Sequence, residues 1–411
     1  MNAGTQKFAR LGLGVAAVAA LLAGCASSGT SSGSRAGADS SRSGSSAGTP
    51  APGGPEAVTV SEGVRIVHDD WARLGYRWEW SNTPQIGRRA EVEFVEYGRD
   101  RIVVQDSETR TTVLNASSGQ TIWAFPVATP RTRFLGHDVV DDRTLLSYST
   151  PALYGLELGT GNQLARQRTE RLVSTAPALV GGLAVFGTPQ GELLAHRFAG
   201  GEGQLLAGIY RDGVVAWRYG LTGAITARPI VVGEYVAAVS QAGDVVFINP
   251  VTASAIGRGR ISGGSATTPV TDGELMFIAS EDQSVYAYRP FGAERVWRYR
   301  TATPLRIQPA VLGDVLYCEV EGVGLHAFDA QTGDVEWIAE GVGGTVLGTR
   351  NRELLVWDAR ARELNLIDRS EGDVIQRVEL PDVERLLADG GSDPRLFAVG
   401  ESGVVIAFGT R

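Results

Sequence analysis

The side chains that most often carry chemistry are sparse in this 411-residue chain: two cysteines, Cys25 and Cys318, and four histidines, His68, His137, His196 and His326. His68-Asp69-Asp70 and His137-Asp138 each offer two adjacent metal ligands, but no third ligand follows at the spacing of a zinc site. Asp138, Asp141 and Asp142 crowd one turn without the Asp-x-Asp-x-Asp-Gly rhythm that wraps calcium. Gly400-Glu401-Ser402-Gly403 is one residue short of a nucleophile elbow and reads as a hairpin turn. The Gly-rich stretch Gly341 to Gly344 follows a strand but opens no helix, so a phosphate cradle lacks its context. The histidines are expected to be solvated loop residues. Cys318 alternates with Leu316 and Val320 and is expected to be a small buried hydrophobe. No metal, no cofactor and no catalytic residue is expected.

Cys25 is a different case. Lys7 and Arg10 precede an uncharged apolar run from Leu11 to Ala23, the layout of a cleaved export signal that is too short to span a bilayer. The run closes on Leu22-Ala23-Gly24-Cys25, which resembles the lipobox of bacterial lipoproteins. That resemblance implies removal of residues 1–24 and a diacylglyceryl group on the Cys25 thiol. Residues 25–56 then form the lipidated cysteine and a tether. From Ala26 to Pro55 the chain is almost all Ser, Gly, Ala, Thr and Pro, without a large apolar side chain, and cannot bury enough surface to offset its ordering entropy. About 30 such residues have an r.m.s. span of roughly 30 Å and a reach of about 100 Å.

Loss of Lys7 and Arg10 leaves 36 basic against 46 acidic residues, a mature charge of about −10. Nucleic-acid binding and electrostatic membrane clamping both need a basic patch, and neither is expected. With Cys25 acylated, Cys318 stands alone and no internal disulfide can form.

The elements that must hold these residues repeat. Asp329-Ala330-Gln331-Thr332-Gly333-Asp334-Val335-Glu336-Trp337, led by Leu325-His326-Ala327-Phe328, is the clearest copy of a phrase that recurs at Asn115 to Trp123, at Glu157 through Gly161, at Asn249 and at Asp368 through Gly372. Pro177, Pro229, Pro269 and Pro309 each open a short run, at the strand-initial position where a missing N–H breaks no ladder bond. Each unit of about 40 to 45 residues reads as four short strands, the size of a propeller blade. Starts fall near 91, 134, 176, 224, 266, 307, 345 and 386, and the last unit stops before its Trp-bearing strand. Trp78-Glu79-Trp80 matches the phrase that closes other units, Trp123-Ala124-Phe125 among them. Residues 75–82 are therefore predicted to supply the outer strand of the last blade.

The fold predicted for residues 57–411 is thus all-β: one eight-bladed β-propeller of four-stranded antiparallel blades, closed by its N-terminal strand. Trp78, Trp123, Trp217, Trp297 and Trp337 are expected to dock between blades; Ala165, Gly257 and Gln376 occupy that place in three units. Ala199 to Asp212 reads as an insertion in the third blade and a candidate partner-facing loop.

The Asp-Ala-x-Thr-Gly-x-x-x-Trp phrase resembles the repeat of the PQQ-like (quinoprotein-type) propeller family, and the resemblance covers roughly residues 75–411. A quinoprotein dehydrogenase of that family holds its quinone between a Trp and an adjacent-cysteine disulfide, which a lone Cys318 cannot form. Behind a lipobox and tether, the propeller is similar to the BamB-like lipoproteins of the outer-membrane β-barrel assembly machinery, which are scaffolds. The resemblance implies a monomeric, non-catalytic module that docks on an envelope protein. It sits on a membrane through Cys25, at the periplasmic face of an outer membrane where the cell has one, since Ala26 is not the Asp that retains many lipoproteins in the inner membrane. The alternatives are a small-ligand or glycan sensor at the channel mouth and, behind it, a quinone-dependent dehydrogenase.

Overall fold

A computed structural model describes residues 58–61, 64–198, 208–210, 215–390 and 392–411. The leader, Cys25 and the tether lie outside the described residues, as does most of Ala199 to Asp212. Eight four-stranded units follow one another along the described chain. Blade 1 runs from Val92 to Pro126, blade 2 from Phe134 to Arg168, blade 3 from Ala178 to Gly220 and blade 4 from Ile230 to Arg260. Blade 5 runs from Val270 to Arg300, blade 6 from Ala310 to Glu340 and blade 7 from Thr345 to Glu379. Blade 8 takes Arg385–Ala388, Leu396–Val399 and Val405–Thr410 from the end of the chain, and Tyr76–Asn82 from its beginning.

Tyr76–Asn82 pairs antiparallel with Val405–Thr410, so both ends of the folded chain are tied into one sheet and the ring has no open blade. The inner strands of consecutive blades approach one another, and Arg385–Ala388 of blade 8 meets Val92–Gly98 of blade 1. Pro177, Pro229, Pro269 and Pro309 each stand one residue before an inner strand. Second and third strands are buried along nearly their whole length, because each is sandwiched between neighbouring blades. Val245–Ile248 in blade 4 and Leu325–Phe328 in blade 6 show this. Outer strands alternate instead: in Val335–Glu340 only Trp337 and Ala339 are buried.

Every outer strand also carries one extra residue opposite the third strand. Trp123 pairs with Val113 while Thr121 pairs with Leu114, which leaves Ile122 bulged; the same shift recurs around the ring. A bulge turns the strand locally, so the residue C-terminal to it is aimed at the next blade.

Two additions lie outside the repeat. A hairpin of Val58–Ser61 and Val64–Val67 leads into the helix His68–Arg73, just ahead of the closing strand. From the blade 3 insertion, Gly208–Tyr210 lies parallel to Gln163–Arg168, making a fifth strand on the outer edge of blade 2.

Candidate functional site

The repeat phrase is a joint. Asp329 Oδ1 accepts from the N–H groups of Gln331 and Thr332 at 2.9 and 2.7 Å, which folds the turn tightly, and Gly333 ends it at φ +78°. The indole of Trp297, in the preceding blade, lies against that glycine, and its Nε1 donates to Ala330 O at 2.9 Å. The joint is repeated: Trp123 donates to Leu158 O over Gly161, and Trp337 to Arg369 O over Gly372. Trp217 donates to Pro250 O, with Ala253 at φ +58° in the glycine's place, and is only half-buried. A buried indole needs a partner for its N–H, and the turn carbonyl supplies it at each of these seams.

Trp78 does not occupy this place. It is 40% exposed, while Trp80, two residues on, donates to Ala116 O at 3.1 Å and lies against Gly119. The bulged residue is Glu79, so Trp80 rather than Trp78 stands opposite Ala407, the third-strand position that faces Trp123, Trp217, Trp297 and Trp337 in their own blades. Matching Trp78 to those residues was wrong by two positions.

The seam between blades 7 and 8 has neither half of the joint. Gln376 stands where the Trp would be, and Tyr76 stands where blade 8 would need its glycine, because that turn is replaced by the two ends of the chain. The N-terminal helix fills the gap. Its Trp71 stacks on Phe408 with centroids 3.5 Å apart and planes 9° from parallel. Val64, Ile66, Trp71 and Leu74 pack there with Val378, Leu380, Val383, Ile406 and Phe408. Beneath this strap is a cavity of about 480 Å³, with Arg65, Asp70, Arg73, Arg377, Glu379 and Asp382 among its lining residues. Nothing in the repeat signalled it.

The histidines are not the solvated loop residues the sequence suggested: His137, His196 and His326 are buried within strands, and His68 begins the helix, its ring edge-on to Trp78. His137 and Glu96, on neighbouring inner strands, belong to a polar cluster beside the channel. The His137 N–H donates to Glu96 at 2.7 Å, and the ring nitrogens face Ser147 Oγ at 2.8 Å and Gln105 Oε1 at 3.1 Å. Burial pushes the Glu96 carboxyl up to about 7 and the His137 imidazole down to about 3. Arg228, on the connection from blade 3 into blade 4, reaches over to Asp138 at 2.6 Å and to Pro177 O at 2.9 Å. Ser147 and His137 are both buried, so the pair has no face open to a substrate and works as a brace. Cys318 is buried in Val315–Val320, and burial pushes its thiol up to about 12.

Eight four-stranded blades, closed by an N-terminal strand and jointed by Asp-Gly turns and tryptophans, define a PQQ-like propeller. The family model described as outer membrane protein assembly factor BamB matches residues 77–290 and 253–411, and the chain belongs to this family. The family is envelope-associated, and membership points to a protein-interaction role. Comparison with curated proteins finds no match. The crystal structure of the computationally designed protein Ika8 is similar in fold, with a TM-score of 0.61 at 13% identity over 79% of this chain and 98% of its own. BamB from Moraxella catarrhalis aligns at 16% identity and a TM-score of 0.42, over 75% of this chain and 82% of its own.

Proposed function

We propose that this protein is a membrane-tethered, non-catalytic interaction scaffold of the cell envelope that takes part in outer-membrane protein assembly. The observation that carries the reading is the family match, which spans the ring from its closing strand to the last residue. Supporting it, the tryptophan joints are spent on holding blades together, which leaves rigid faces available for a partner. The lipobox-like Leu22-Ala23-Gly24-Cys25 supports acylation of Cys25 and anchoring at a membrane.

The two faces can be tested separately. Because strands alternate in direction, turns between third and outer strands lie on one face and connections between blades on the other. Val251 and Phe291, 90% and 81% exposed, sit on third-to-outer turns of adjacent blades. Leu172 is exposed on the connection from blade 2 to blade 3. Lys7 is the chain's sole lysine, so amine-reactive reagents have no side chain to engage in the ring. A photoreactive phenylalanine analogue at 251, 291 or 172 is expected to capture an envelope protein in intact cells from one face and not the other. Repeated failure at all three positions would count against the scaffold reading. Loss of radiolabelled palmitate in Cys25→Ser tests the anchor.

A further inference from the structure

We propose that the groove between the inner strands of blades 7 and 8 is a peptide-docking site, taking an extended segment of a partner protein in which apolar side chains stand beside a lysine or arginine. The proposal deepens the scaffold reading and rests on it for the kind of guest.

The groove has a cause in the sequence. In blades 3 to 6 a proline stands before the inner strand, and that strand pairs with the second without a bulge. Blade 7 has Gly344 in the proline's place and blade 8 has Glu384. Within the inner strand of blade 7, Val346 pairs with Val356 and Gly348 with Leu355, so Leu347 bulges out of the ladder. A bulge bends the strand that carries it, and this one stands beside an open groove of about 400 Å³.

Most of the lining is apolar. Val346 and Leu347 come from blade 7, Leu386, Leu387 and Ala388 from blade 8, and Trp357 from the second strand of blade 7. Leu347, Leu387 and Ala388 are half-buried, so part of this apolar surface is left to water. Trp357 adds a polar requirement. It is only 5% exposed, and its Nε1 has no hydrogen-bond partner. Trp80, Trp123, Trp217, Trp297 and Trp337 each donate to a carbonyl instead. A buried donor without an acceptor is costly, and main-chain carbonyls are the acceptors that an extended segment offers.

Charge selects among guests. The guanidinium of Arg385 is spent on Val92 O and Glu93 O, each at 2.9 Å. Glu384 is exposed and has no ion-pair partner among the described residues. The uncommitted charge on the lining is therefore negative, which repels a fatty acid, a phosphate or an anionic lipid surface and favours a cationic side chain. The open shape points the same way. A small apolar molecule would keep one side in water, whereas a peptide buries its apolar side chains and turns its polar backbone outward.

The test uses a fluorescein-labelled peptide, Gly-Ser-Lys-Leu-Val-Leu-Lys-Ser-Gly, and a copy with both lysines replaced by glutamate. The protein is the full chain carrying Cys25→Ser, purified without detergent. Fluorescence anisotropy should show saturable binding of the lysine peptide and none of the glutamate copy. Leu347→Gln, which makes one wall polar at a position outside the ladder, should weaken binding about 10-fold. Trp357→Phe keeps the ring and loses the N–H, and should weaken it about 5-fold. Glu384→Lys should reverse the preference between the two peptides. No saturable binding, or binding that all three variants leave unchanged, overturns the proposal. Should Leu347→Gln or Trp357→Phe fail to fold, as judged by its thermal transition, the exposed Glu384 decides alone. No peptide binding together with photocapture at 251, 291 or 172 would remove the groove and leave the scaffold reading standing.

Discussion

A Cβ on Gly333 would stand 2.5 Å from Cδ2 of Trp297, so the glycine of blade 6 is the seat on which the tryptophan of blade 5 rests. Gly333→Ala should therefore cost about 2–3 kcal/mol, combining a left-handed alanine with displacement of the indole. Trp297→Phe, which loses the bond to Ala330 O, should cost about 1 kcal/mol beyond any packing loss. Ala253 holds the matching left-handed position opposite the half-buried Trp217, so the Gly333 variant should still fold. Urea unfolding followed by tryptophan fluorescence measures all of these.

Trp80 and Trp78 should separate cleanly. Trp80→Ala removes the joint between blades 8 and 1 and is expected to cost about 3–5 kcal/mol. Trp78→Ala acts on a side chain with far less to lose and should cost under about 1 kcal/mol. Equal losses in calorimetry would place the joint on the wrong residue.

Glu96 and His137 give opposite pH dependences. The folded Glu96 carboxyl is raised from 4.5 to about 7, so its contribution is complete below pH 4.5 and is lost as pH rises through about 7. His137 is lowered from 6.5 to about 3, so its contribution is present above pH 6.5 and is lost as pH falls towards 3. Glu96→Gln should thus stabilise the ring at pH 8 relative to pH 4, by on the order of 2–3 kcal/mol. His137→Gln should flatten the acid side instead. Unfolding free energies across pH 3–9 give both slopes, and an unchanged profile in either variant would contradict the burial that causes these shifts.

The seam of blades 7 and 8 depends on one indole from outside the repeat. In Trp71→Ala, amide hydrogen exchange is expected to quicken in Val374–Glu379 and Leu396–Val399, while Ser284–Arg289 in blade 5 keeps its protection. Uniform quickening would mean that the ring opens as a whole.

Removal of Ala199 to Asp212 should leave blade 3 intact, because its four strands pair without the insertion. What changes is blade 2. The outer strand Gln163–Arg168 loses its parallel partner Gly208–Tyr210 and becomes a free edge. Concentration-dependent association of the deletion variant, seen by sedimentation, is the expected outcome; an unfolded variant would show instead that the loop is structural.

The linear chain determined the ring. Its period, the prolines before inner strands, the Asp-to-Gly turn and the truncated last unit are all local in sequence. They dictate eight like sheets, and the spare Trp-bearing strand ahead of blade 1 had one vacant edge to join. The joint's residue at that edge was not local: Trp78 and Trp80 are interchangeable in a phrase match, and only pairing with Phe408 and Ala407, with Glu79 bulged between, decides which faces blade 1. Burial of His137 was hidden for the same reason, since its partners Glu96, Gln105 and Ser147 come from two blades. The cavity lay furthest from view. It exists because chain ends replace a turn, and an absent turn leaves no residue to read; its walls come together only when the helix bearing Trp71 packs against strands more than three hundred residues away.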